Sequence, residues 1–392
     1  MRYKSMKRKL ALEYVLMMPF VIAGKLYGKI FKLKTQHKVF LFFPNGDIGG
    51  SPKVNIDITN CLKTYSPIIF FSKKPNNNLF KERFKQTGVP IIDLHRKIDN
   101  KLYHFVNFFY RGVIASWINA VENPVVLGGE VIFFYKIIPH LKKSAWCVEV
   151  CHLATWLEYS IGFIDKIDVR VFSTERLKKD VELQYKKNKL NSSYFKKLTF
   201  IENAIEIPAY KTIENNRLQV VFIGRGSPQK RVYLIAAIAE QLHLQQAPVL
   251  FSFVGDVERV IDVDKYPYCK FYGNVKDDAL LRLIYEESDV LILTSAFEGL
   301  PVVIMEMMAY GKVIISTNVN GIPDYIFHEQ NGFLISSKDE EEIVQEGVNY
   351  INRLVENPDL KRVLGARSRE IAKQRFDYRN FCREYMEVLR FC

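Results

Sequence analysis

The chain has 392 residues, 48% of them hydrophobic, and this length and composition indicate a globular protein with two domains. Its formal net charge of +13 at pH 7 indicates an anionic partner, which is a membrane surface, a nucleic acid or a phosphorylated substrate. The six cysteines are scattered along a chain that is long enough to fold without stabilising disulfides, so the protein is not a small disulfide-linked scaffold. We expect the cysteines to be free thiols in a reducing cytosol.

Residues 1–38 are strongly basic, with ten lysines and arginines against the single acid Glu13. The apolar stretch 10–24 is too short to span a bilayer, which takes about 20 apolar residues. A basic start and an apolar middle are also typical of a signal peptide, but Glu13 interrupts the apolar run. We expect a basic helix lying on an anionic membrane surface, with a helix packed on its own domain as the alternative.

From Lys38 onwards, short apolar runs alternate with helical or mixed segments. This alternation predicts two parallel sheets with crossover helices, separated by the polar stretch 203–216. Ligands bind beyond the carboxyl ends of strands in such sheets, so we expect a shared site in a cleft between two domains. The strands are predicted at residues 39–43, 67–71, 89–92, 125–127, 146–150, 169–172 and 198–201, and then at 220–224, 249–254, 270–272, 290–293, 313–316 and 333–335.

Two strand ends in the first series carry candidate ligand-binding residues. Gly49 and Gly50 lie in a flexible loop after the first strand, where backbone N–H groups would reach a phosphate. The loop has neither the Walker spacing nor the dinucleotide fingerprint, so a plain strand–helix turn is the alternative. His152 follows the strand 146–150, where a neutral imidazole would bind a hydroxyl of one substrate or approach a second substrate, with a structural histidine as the alternative.

The sequence GRGSPQKR, residues 224–231, follows the first strand of the second series. Gly224 lets the backbone turn sharply and approach a ligand closely. Arg225 and Lys230 bracket the loop, and two cations there would neutralise a diphosphate and stabilise it as it leaves. The alternative is a surface charge pair beside a turn.

Residues 291–311 predict a strand, a loop and a helix that starts at Pro301. Free N–H groups at the helix start would face a phosphate. Glu298 and Glu306 would accept hydrogen bonds from sugar hydroxyls on either side, which is the layout of a nucleotide-sugar. Glu306 lies in an apolar helix, so we expect it to be buried with a partner or a ligand rather than to face solvent.

Polar side chains follow two more strands of the second series. Asp256 comes after the strand 249–254, and Tyr272 and Asn274 end the next strand, so we expect them to line the site of a base or ribose. The run 262–264 matches an Asp-x-Asp metal motif literally but lies in a polar stretch, and we interpret it as a solvated loop.

These residues together resemble the retaining GT-B glycosyltransferases of glycosyltransferase family 4. The resemblance covers residues 218–376 specifically, and the first half of the chain only through the Gly49–Gly50 loop and the HLATW stretch from His152. The motifs that carry it are Glu298 and Glu306 separated by seven residues, the GRGSPQK loop, the strand end 254–256, and the sequences NGIPDYI (320–326) and NGFLI (331–335).

The resemblance implies an α/β fold, GT-B, with two doubly wound Rossmann-like domains facing each other across a cleft. It implies a nucleotide-diphosphate-sugar as donor substrate, retention at the anomeric carbon, no cofactor and no required metal. The corresponding parts are a basic segment (1–38), an acceptor-side domain (39–205), a donor domain (206–375) and a C-terminal helix that returns towards the first domain (376–392).

The resemblance also assigns roles to individual residues. It places Glu306 on the ribose hydroxyls, Glu298 near the donor sugar, and Arg225 and Lys230 on the diphosphate. The predicted catalytic residues are Glu298, Arg225, Lys230 and His152. The predicted donor-binding residues are Gly49, Gly50, Gly224, Asp256, Tyr272, Asn274, Gly299, Leu300, Pro301 and Glu306, and no metal site is predicted.

The function expected on this basis is sugar transfer to a lipid-linked or cell-surface glycan, as in polysaccharide or lipopolysaccharide biosynthesis. The expected partners are the donor, the acceptor and an anionic membrane surface bound by residues 1–38, without nucleic acid. The expected location is cytoplasmic, peripheral on the inner face of the plasma membrane. The alternatives are a non-hydrolysing nucleotide-sugar epimerase, which shares the fold, and a non-catalytic nucleotide-sugar-binding protein.

Overall fold

The computed structural model describes residues 3–99, 104–211, 213–298 and 301–391. The chain divides into two compact units: unit 1 comprises residues 1–202 and 379–392, and unit 2 comprises residues 203–378. The helices are α1 (Tyr3–Ile30), α2 (Gly50–Cys61), α3 (Lys81–Gln86), α4 (His95–Ile98), α5 (His104–Asn119), α6 (Ile132–Ile137), α7 (Leu157–Ser160), α8 (Glu175–Lys187), α9 (Ser192–Phe195), α10 (Val232–Leu244), α11 (Asp278–Glu287), α12 (Val302–Ala309), α13 (Glu340–Glu356), α14 (Pro358–Arg375) and α15 (Tyr378–Val388).

Unit 1 is built on a parallel sheet of seven strands in the order β3-β2-β1-β4-β5-β6-β7. The strands of this sheet are nearly continuous apolar runs, because helices cover both faces of a parallel sheet and bury the side chains on each face. The order reverses between β1 and β4, which makes their carboxyl ends a switch point where loops diverge. The strands are β1 (Val39–Phe43), β2 (Pro67–Phe71), β3 (Ile91–Asp93), β4 (Val125–Gly128), β5 (Trp146–Cys151), β6 (Val169–Phe172) and β7 (Leu198–Phe200).

Unit 2 is built on a parallel sheet of six strands in the order β10-β9-β8-β11-β12-β13. Its switch point lies between β8 and β11. All thirteen predicted strands are confirmed within a few residues, and so is the fold class of two parallel Rossmann-like domains. The strands are β8 (Leu218–Ile223), β9 (Val249–Val254), β10 (Lys270–Gly273), β11 (Val290–Leu293), β12 (Val313–Thr317) and β13 (Gly332–Ile335).

A fully buried ion pair lies inside the unit 1 sheet. Glu149 on β5 and Arg170 on β6 are direct register partners, and both side chains are 0% exposed. Arg170 also donates hydrogen bonds to Tyr185 Oη at 2.7 Å and Ser160 Oγ at 2.6 Å. Tyr135 Oη donates to Glu149 at 2.7 Å. Buried charges persist only when paired and hydrogen-bonded, and this network meets both conditions.

Helix α1 packs along α5, which the glycines at their crossing make possible. A Cβ on Gly24 would lie 1.9 Å from the carbonyl oxygen of Phe109, and one on Gly112 would lie 2.0 Å from that of Val21. Glu13 accepts a hydrogen bond from Arg111 at 3.0 Å and pairs with Lys136. The alternative prediction for residues 1–38, a helix packed on its own domain, is therefore correct for the side of α1 that contacts α5.

The expectation that the N-terminal apolar stretch is too short to span a bilayer is wrong. Pro19 does not end the helix, and α1 continues for 28 residues. Within the described ranges it is the helix whose length and composition would suffice to cross a membrane.

The expectation of free thiols is wrong for two of the six cysteines. Cys61, at the end of α2, forms a disulfide with Cys382 on α15, 321 residues away in sequence. The bond ties the last helix to the first sheet unit covalently. Cys147, Cys151 and Cys269 are free thiols, as expected.

Candidate functional site

The loops after β8 and β11 meet at the switch point of unit 2. Ala296 donates its backbone N–H to the carbonyl oxygen of Gln229 at 2.8 Å, and Gln229 Nε2 donates to the carbonyl oxygen of Phe297 at 2.8 Å. Arg231 Nε donates to the carbonyl oxygen of Thr294 at 2.7 Å. Backbone-directed bonds of this kind fix the two loops together, so side chains on either loop have defined neighbours.

Lys230 and Glu298 form an ion pair between these two loops. Their side chains are 12% and 8% exposed, respectively, so water screens the pair little. Arg225, on the same loop as Lys230, is exposed and makes no hydrogen bond or ion pair with the described residues. The structure therefore brings together two of the predicted catalytic residues of unit 2 and leaves the third at the surface.

The start of α12 lies directly after this ion pair. Glu298 donates its backbone N–H to Asn320 Oδ1 at 3.1 Å, which fixes the residue before the helix. Pro301 has an extended conformation and precedes the helix, so it is not the first helical residue as predicted. Gly299 and Leu300, predicted to bind the donor, lie outside the described residues.

Glu306 is half-buried on α12 and has a protein partner. It accepts a hydrogen bond from Tyr285 Oη at 2.6 Å. The partner that a half-buried carboxylate requires is thus supplied by α11, and the sequence offered no signal for it. Binding of ribose by Glu306 stays a prediction.

Asp256 organises the loop that carries Arg225. It is 8% exposed, accepts the backbone N–H of Gly226 at 2.9 Å, and pairs with Arg259 at 2.9 Å. A Cβ on Gly226 would lie 2.1 Å from the Asp256 carbonyl oxygen, so only glycine permits this approach. Gly224 donates to the Val254 carbonyl oxygen at 2.9 Å in the same loop.

The two residues predicted at the end of β10, Tyr272 and Asn274, flank Gly273 in the chain. Gly255 donates its N–H to the carbonyl oxygen of Gly273 at 2.8 Å. Tyr272 is half-buried with Lys270 Nζ 4.4 Å from its ring centre, and Asn274 is exposed. Contact of either residue with a base or ribose stays a prediction.

The Asp-x-Asp run lies at a short 3₁₀ helix (Val263–Lys265) on the surface, close to the solvated loop interpreted from the sequence. Asp262 and Asp264 are both exposed, and Asp262 lies 3.8 Å from Lys265. Within the described ranges, His, Cys, Asp and Glu side chains form no group of three or more that would hold a metal ion.

The switch point of unit 1 holds a small pocket. It is formed at the carboxyl ends of β1, β4 and β5 and at the start of α2, which begins at Gly50 after Gly49. Asn45, Asn55, Glu130 and His152 are its main polar lining residues. The Gly49–Gly50 loop and His152 therefore lie at one end of the same sheet.

His152 is 8% exposed, and its Nε2 has no hydrogen-bond partner among the described residues. Burial lowers the pKa of His152 to about 4, so the ring is neutral at pH 7. Its backbone N–H is held by Glu130 Oε1 at 2.8 Å. The sequence reasoning missed Glu130, although an acid directly after two glycines at a strand end was a usable signal.

The comparisons with known proteins agree with this architecture. Residues 204–371 match the family described as "Glycosyl transferases group 1". The chain is 36% identical over 350 residues to an uncharacterized glycosyltransferase of Haemophilus influenzae, an alignment that covers 85% of this chain and 94% of that relative. The chain belongs to the group 1 glycosyltransferases, and the resemblance inferred from its motifs is confirmed to that extent.

One other match covers a smaller part of the chain, and a second covers most of the chain at lower identity. The UDP-Gal:alpha-D-GlcNAc-diphosphoundecaprenol alpha-1,3-galactosyltransferase of Escherichia coli is 31% identical over 158 residues, 38% of each chain. The structure of Anabaena Alr3699/HepE in complex with UDP and glucose superposes with a TM-score of 0.71 at 18% identity, covering 91% of this chain and 100% of that one. The chain spans about half or less of the length of several other curated relatives.

Proposed function

We propose that this glycosyltransferase moves a sugar from a nucleotide-diphosphate-sugar to a carbohydrate acceptor with retention at the anomeric carbon, as a member of family 4. The observation that carries the proposal is the contact of Lys230 with Glu298 at the unit 2 switch point, directly before α12. The donor is a substrate, and the reaction needs no further cofactor.

In this proposal the diphosphate displaces Glu298 from Lys230. A doubly charged diphosphate offers Lys230 a stronger partner than one carboxylate, and it also attracts the exposed Arg225. Glu298 is then released to accept a hydrogen bond from a donor-sugar hydroxyl. The two cations stabilise the negative charge that develops on the leaving diphosphate, which replaces the role a divalent metal would have.

Glu306 completes the donor site in this proposal by accepting hydrogen bonds from the ribose. Tyr285 Oη donates a hydrogen bond to Glu306 Oε2 at 2.6 Å. Tyr285 thereby orients Glu306 towards the ligand. Backbone N–H groups at the start of α12 add the partial positive charge of a helix N-terminus next to the diphosphate.

The experiment is a donor screen with the full-length protein. Each nucleotide-diphosphate-sugar is incubated with the protein and a mixture of glycan acceptors, and released nucleoside diphosphate is measured. The proposal expects one donor to be consumed with release of nucleoside diphosphate and formation of a glycoside. An epimerised donor would favour the epimerase, whereas binding without turnover would favour a binding protein; membership of the group 1 family favours the transferase.

The acceptor side of the proposal is a lipid-linked glycan on an anionic membrane. The Escherichia coli relative named above acts on a diphosphoundecaprenol-linked sugar by its name, which supports this acceptor class. A second support is the outer side of α1, where large apolar residues recur at helical spacing and stay exposed. We call them the apolar stripe: Leu12, Val15, Leu16, Phe20, Ile22, Leu26 and Ile30.

Basic side chains lie at both ends of the apolar stripe, which complements an anionic leaflet. Glycine contacts and Glu13 hold the opposite side of α1 against unit 1, so the stripe points away from α5. We therefore propose that α1 lies in the interface plane rather than across the bilayer. Exposed basic residues at the ends of the apolar stripe include Lys4, Arg8, Lys9, Lys29, Lys32 and Lys34.

Vesicle sedimentation tests the membrane part. The full-length protein should pellet at low salt with vesicles of phosphatidylglycerol and phosphatidylcholine, since each basic group near the surface contributes about 1 kcal/mol. High salt should release part of it, because the Debye length falls to about 3 Å at 1 M. Leu16→Glu combined with Leu26→Glu should reduce pelleting, whereas Leu244→Glu on α10 is the matched control. Full-length protein that stays in solution with anionic vesicles at low salt would end the membrane proposal.

A further inference from the structure

The disulfide between Cys61 and Cys382 lies where the chain returns to unit 1. Residues 203–378 form unit 2, and residues 379–392, which include most of α15, belong to unit 1 again. Cys61 is the last residue of α2, and Cys382 lies in the second turn of α15. The bond therefore fixes the first half of α15 to a helix of the first sheet unit.

Both residues of the disulfide are accessible from solvent, unlike two of the free cysteines. Cys61 and Cys382 are partly exposed, whereas Cys147 and Cys151 are buried. Thiol–disulfide exchange requires that a thiolate reaches one of the two sulfurs. The partial exposure of both residues meets this requirement for a dissolved reductant.

The described free thiols do not attack this disulfide at neutral pH. Burial raises the pKa of Cys147 and that of Cys269 to about 12, and it raises the pKa of Cys151 well above its usual range. A thiol that stays protonated is not the nucleophile in exchange. Opening of the bond therefore depends on an external reductant rather than on these three thiols.

The second half of α15 and the residues after it have contacts with unit 1 that do not involve the disulfide. Trp146 Nε1 donates a hydrogen bond to the carbonyl oxygen of Val388 at 2.8 Å, and Tyr65 Oη donates one to Met386 Sδ at 3.6 Å. The rings of Tyr65 and Phe391 stack with their centres 4.0 Å apart. Opening the disulfide therefore loosens the first half of α15, whereas the second half keeps its contacts.

Helix α2 connects the disulfide to the pocket at the switch point of unit 1. It has 12 residues, which span about 18 Å at a rise of 1.5 Å per residue. Ser51, Pro52 and Asn55, near the start of α2, line the pocket, and Cys61 ends the helix. Because a helix is a rigid element, a change of its anchorage at Cys61 also changes how firmly the pocket lining is held.

We propose that Cys61 and Cys382 form a redox-controlled clamp, which a dithiol opens and whose opening lowers the turnover of the enzyme. One thiolate of the dithiol attacks a sulfur of the clamp, forms a mixed disulfide and releases the other cysteine. The second thiolate of the dithiol then attacks the mixed disulfide and releases the remaining cysteine. In total two electrons and two protons pass from the dithiol to the protein, which is left with two thiols, while the reductant becomes a disulfide.

Differential alkylation tests whether the clamp opens in the folded full-length protein. The protein is incubated with dithiothreitol in native buffer, free thiols are alkylated with iodoacetamide, and mass spectrometry identifies the modified cysteines. Cys61 and Cys382 should be alkylated, while Cys147 and Cys151 stay unmodified because they remain buried. A disulfide that opens only together with alkylation of the two buried cysteines, and hence only on unfolding, would overturn the proposal.

Turnover is compared before reduction, after reduction and after reoxidation with oxidised glutathione. This readout rests on the proposed function, because it measures nucleoside diphosphate released from the donor found in the screen. Turnover should fall about threefold or more on reduction, since the pocket lining at the start of α2 is held less firmly, and it should recover on reoxidation. Equal or higher turnover after reduction, or a loss without recovery, would contradict the clamp.

Cys61→Ser combined with Cys382→Ser reproduces the opened clamp without a reductant. The double variant should have the turnover of the reduced protein, no response to dithiothreitol, and faster hydrogen–deuterium exchange in residues 378–384. Cys269→Ser, which alters a free cysteine of unit 2, should keep the wild-type response. Wild-type turnover or wild-type exchange in the double variant counts against the proposal. If the wild-type protein turns over no nucleotide-sugar, the proposed function fails, and alkylation and exchange alone decide on the clamp.

Discussion

Unit 1 and unit 2 each collect polar side chains at the switch point of a parallel sheet, but the charges they collect differ. In unit 2, Lys230 and the exposed Arg225 supply positive charge beside Glu298. In unit 1, Glu130 and the neutral His152 line a pocket without a described cation partner. The same topology thus gathers cations at the strand ends of one unit and an acid with a neutral imidazole at those of the other.

The two units also differ in what their ion pairs do. The Lys230–Glu298 pair lies on two loops and retains some exposure, and in the proposed mechanism an incoming diphosphate takes the place of Glu298. The Glu149–Arg170 pair is fully buried on two adjacent strands, and no ligand reaches it. The comparison predicts that breaking the first pair changes catalysis, whereas breaking the second changes stability.

The largest expected effect is on the buried pair of unit 1. Arg170→Met leaves the Glu149 carboxylate buried without its cation and should lower the free energy of unfolding by about 3–5 kcal/mol. Urea unfolding followed by circular dichroism measures this. Arg176→Met, which removes a largely exposed arginine on α8, should change stability little. Equal stability of the two variants would contradict a stabilising role of the buried Glu149–Arg170 pair.

The disulfide gives the next largest effect. Reduction, or Cys61→Ser, should lower the free energy of unfolding by about 2–4 kcal/mol, because the bond closes a long loop in the unfolded chain. The thermal unfolding midpoint with and without reductant measures the change. Cys269→Ser alters a free cysteine and serves as the control. A midpoint that does not respond to reductant would contradict a stabilising disulfide.

The cations of unit 2 should affect turnover rather than folding. Lys230→Ala and Arg225→Ala should each lower kcat by about 10²-fold or more, which corresponds to about 2.7 kcal/mol of transition-state stabilisation. Steady-state release of nucleoside diphosphate measures this, with Lys338→Ala as an exposed control in the same unit. Wild-type kinetics in both variants would exclude the two residues from the mechanism.

The smallest expected effect is that of chelation. Because Lys230 and Arg225 supply the positive charge in the proposed mechanism, activity should be largely retained in EDTA. The assay is nucleoside diphosphate release before and after chelation. Complete loss of activity that magnesium or manganese restores would contradict the proposal and bring Asp262 and Asp264 back as candidate ligands.

The fold of both units was predictable because its signals are local. Each strand is a short apolar run, and the loops that follow the strands carry glycine and charged residues at recognisable spacing. Lys230 and Glu298 were therefore predicted together, since both follow neighbouring strands of one sheet. Their direct contact is visible only in the structure. Side-chain directions in these loops depend on hydrogen bonds to the backbone, such as that from Gln229 Nε2 to the carbonyl oxygen of Phe297.

Long-range features were less accessible from the sequence. The disulfide joins Cys61 to a residue 321 positions away, and no spacing rule identifies such a pair. Glu149 and Arg170 are the single charged residues of two adjacent apolar strands. Their opposite charges indicate an ion pair only once the order of the strands in the sheet is known. The length of helix α1 was underestimated because Glu13 was interpreted as an interruption, without knowing that Arg111 on α5 pairs with it.

Hydrogen–deuterium exchange on the full-length protein tests the central claim, that the donor binds at the switch point of unit 2, most directly. Exchange is measured with and without a saturating amount of the donor selected by the screen. Protection should appear in residues 224–231 and 294–298, and helix α8 (Glu175–Lys187) of unit 1 provides the internal reference. Protection confined to unit 1, or no protection with any donor, would contradict the account.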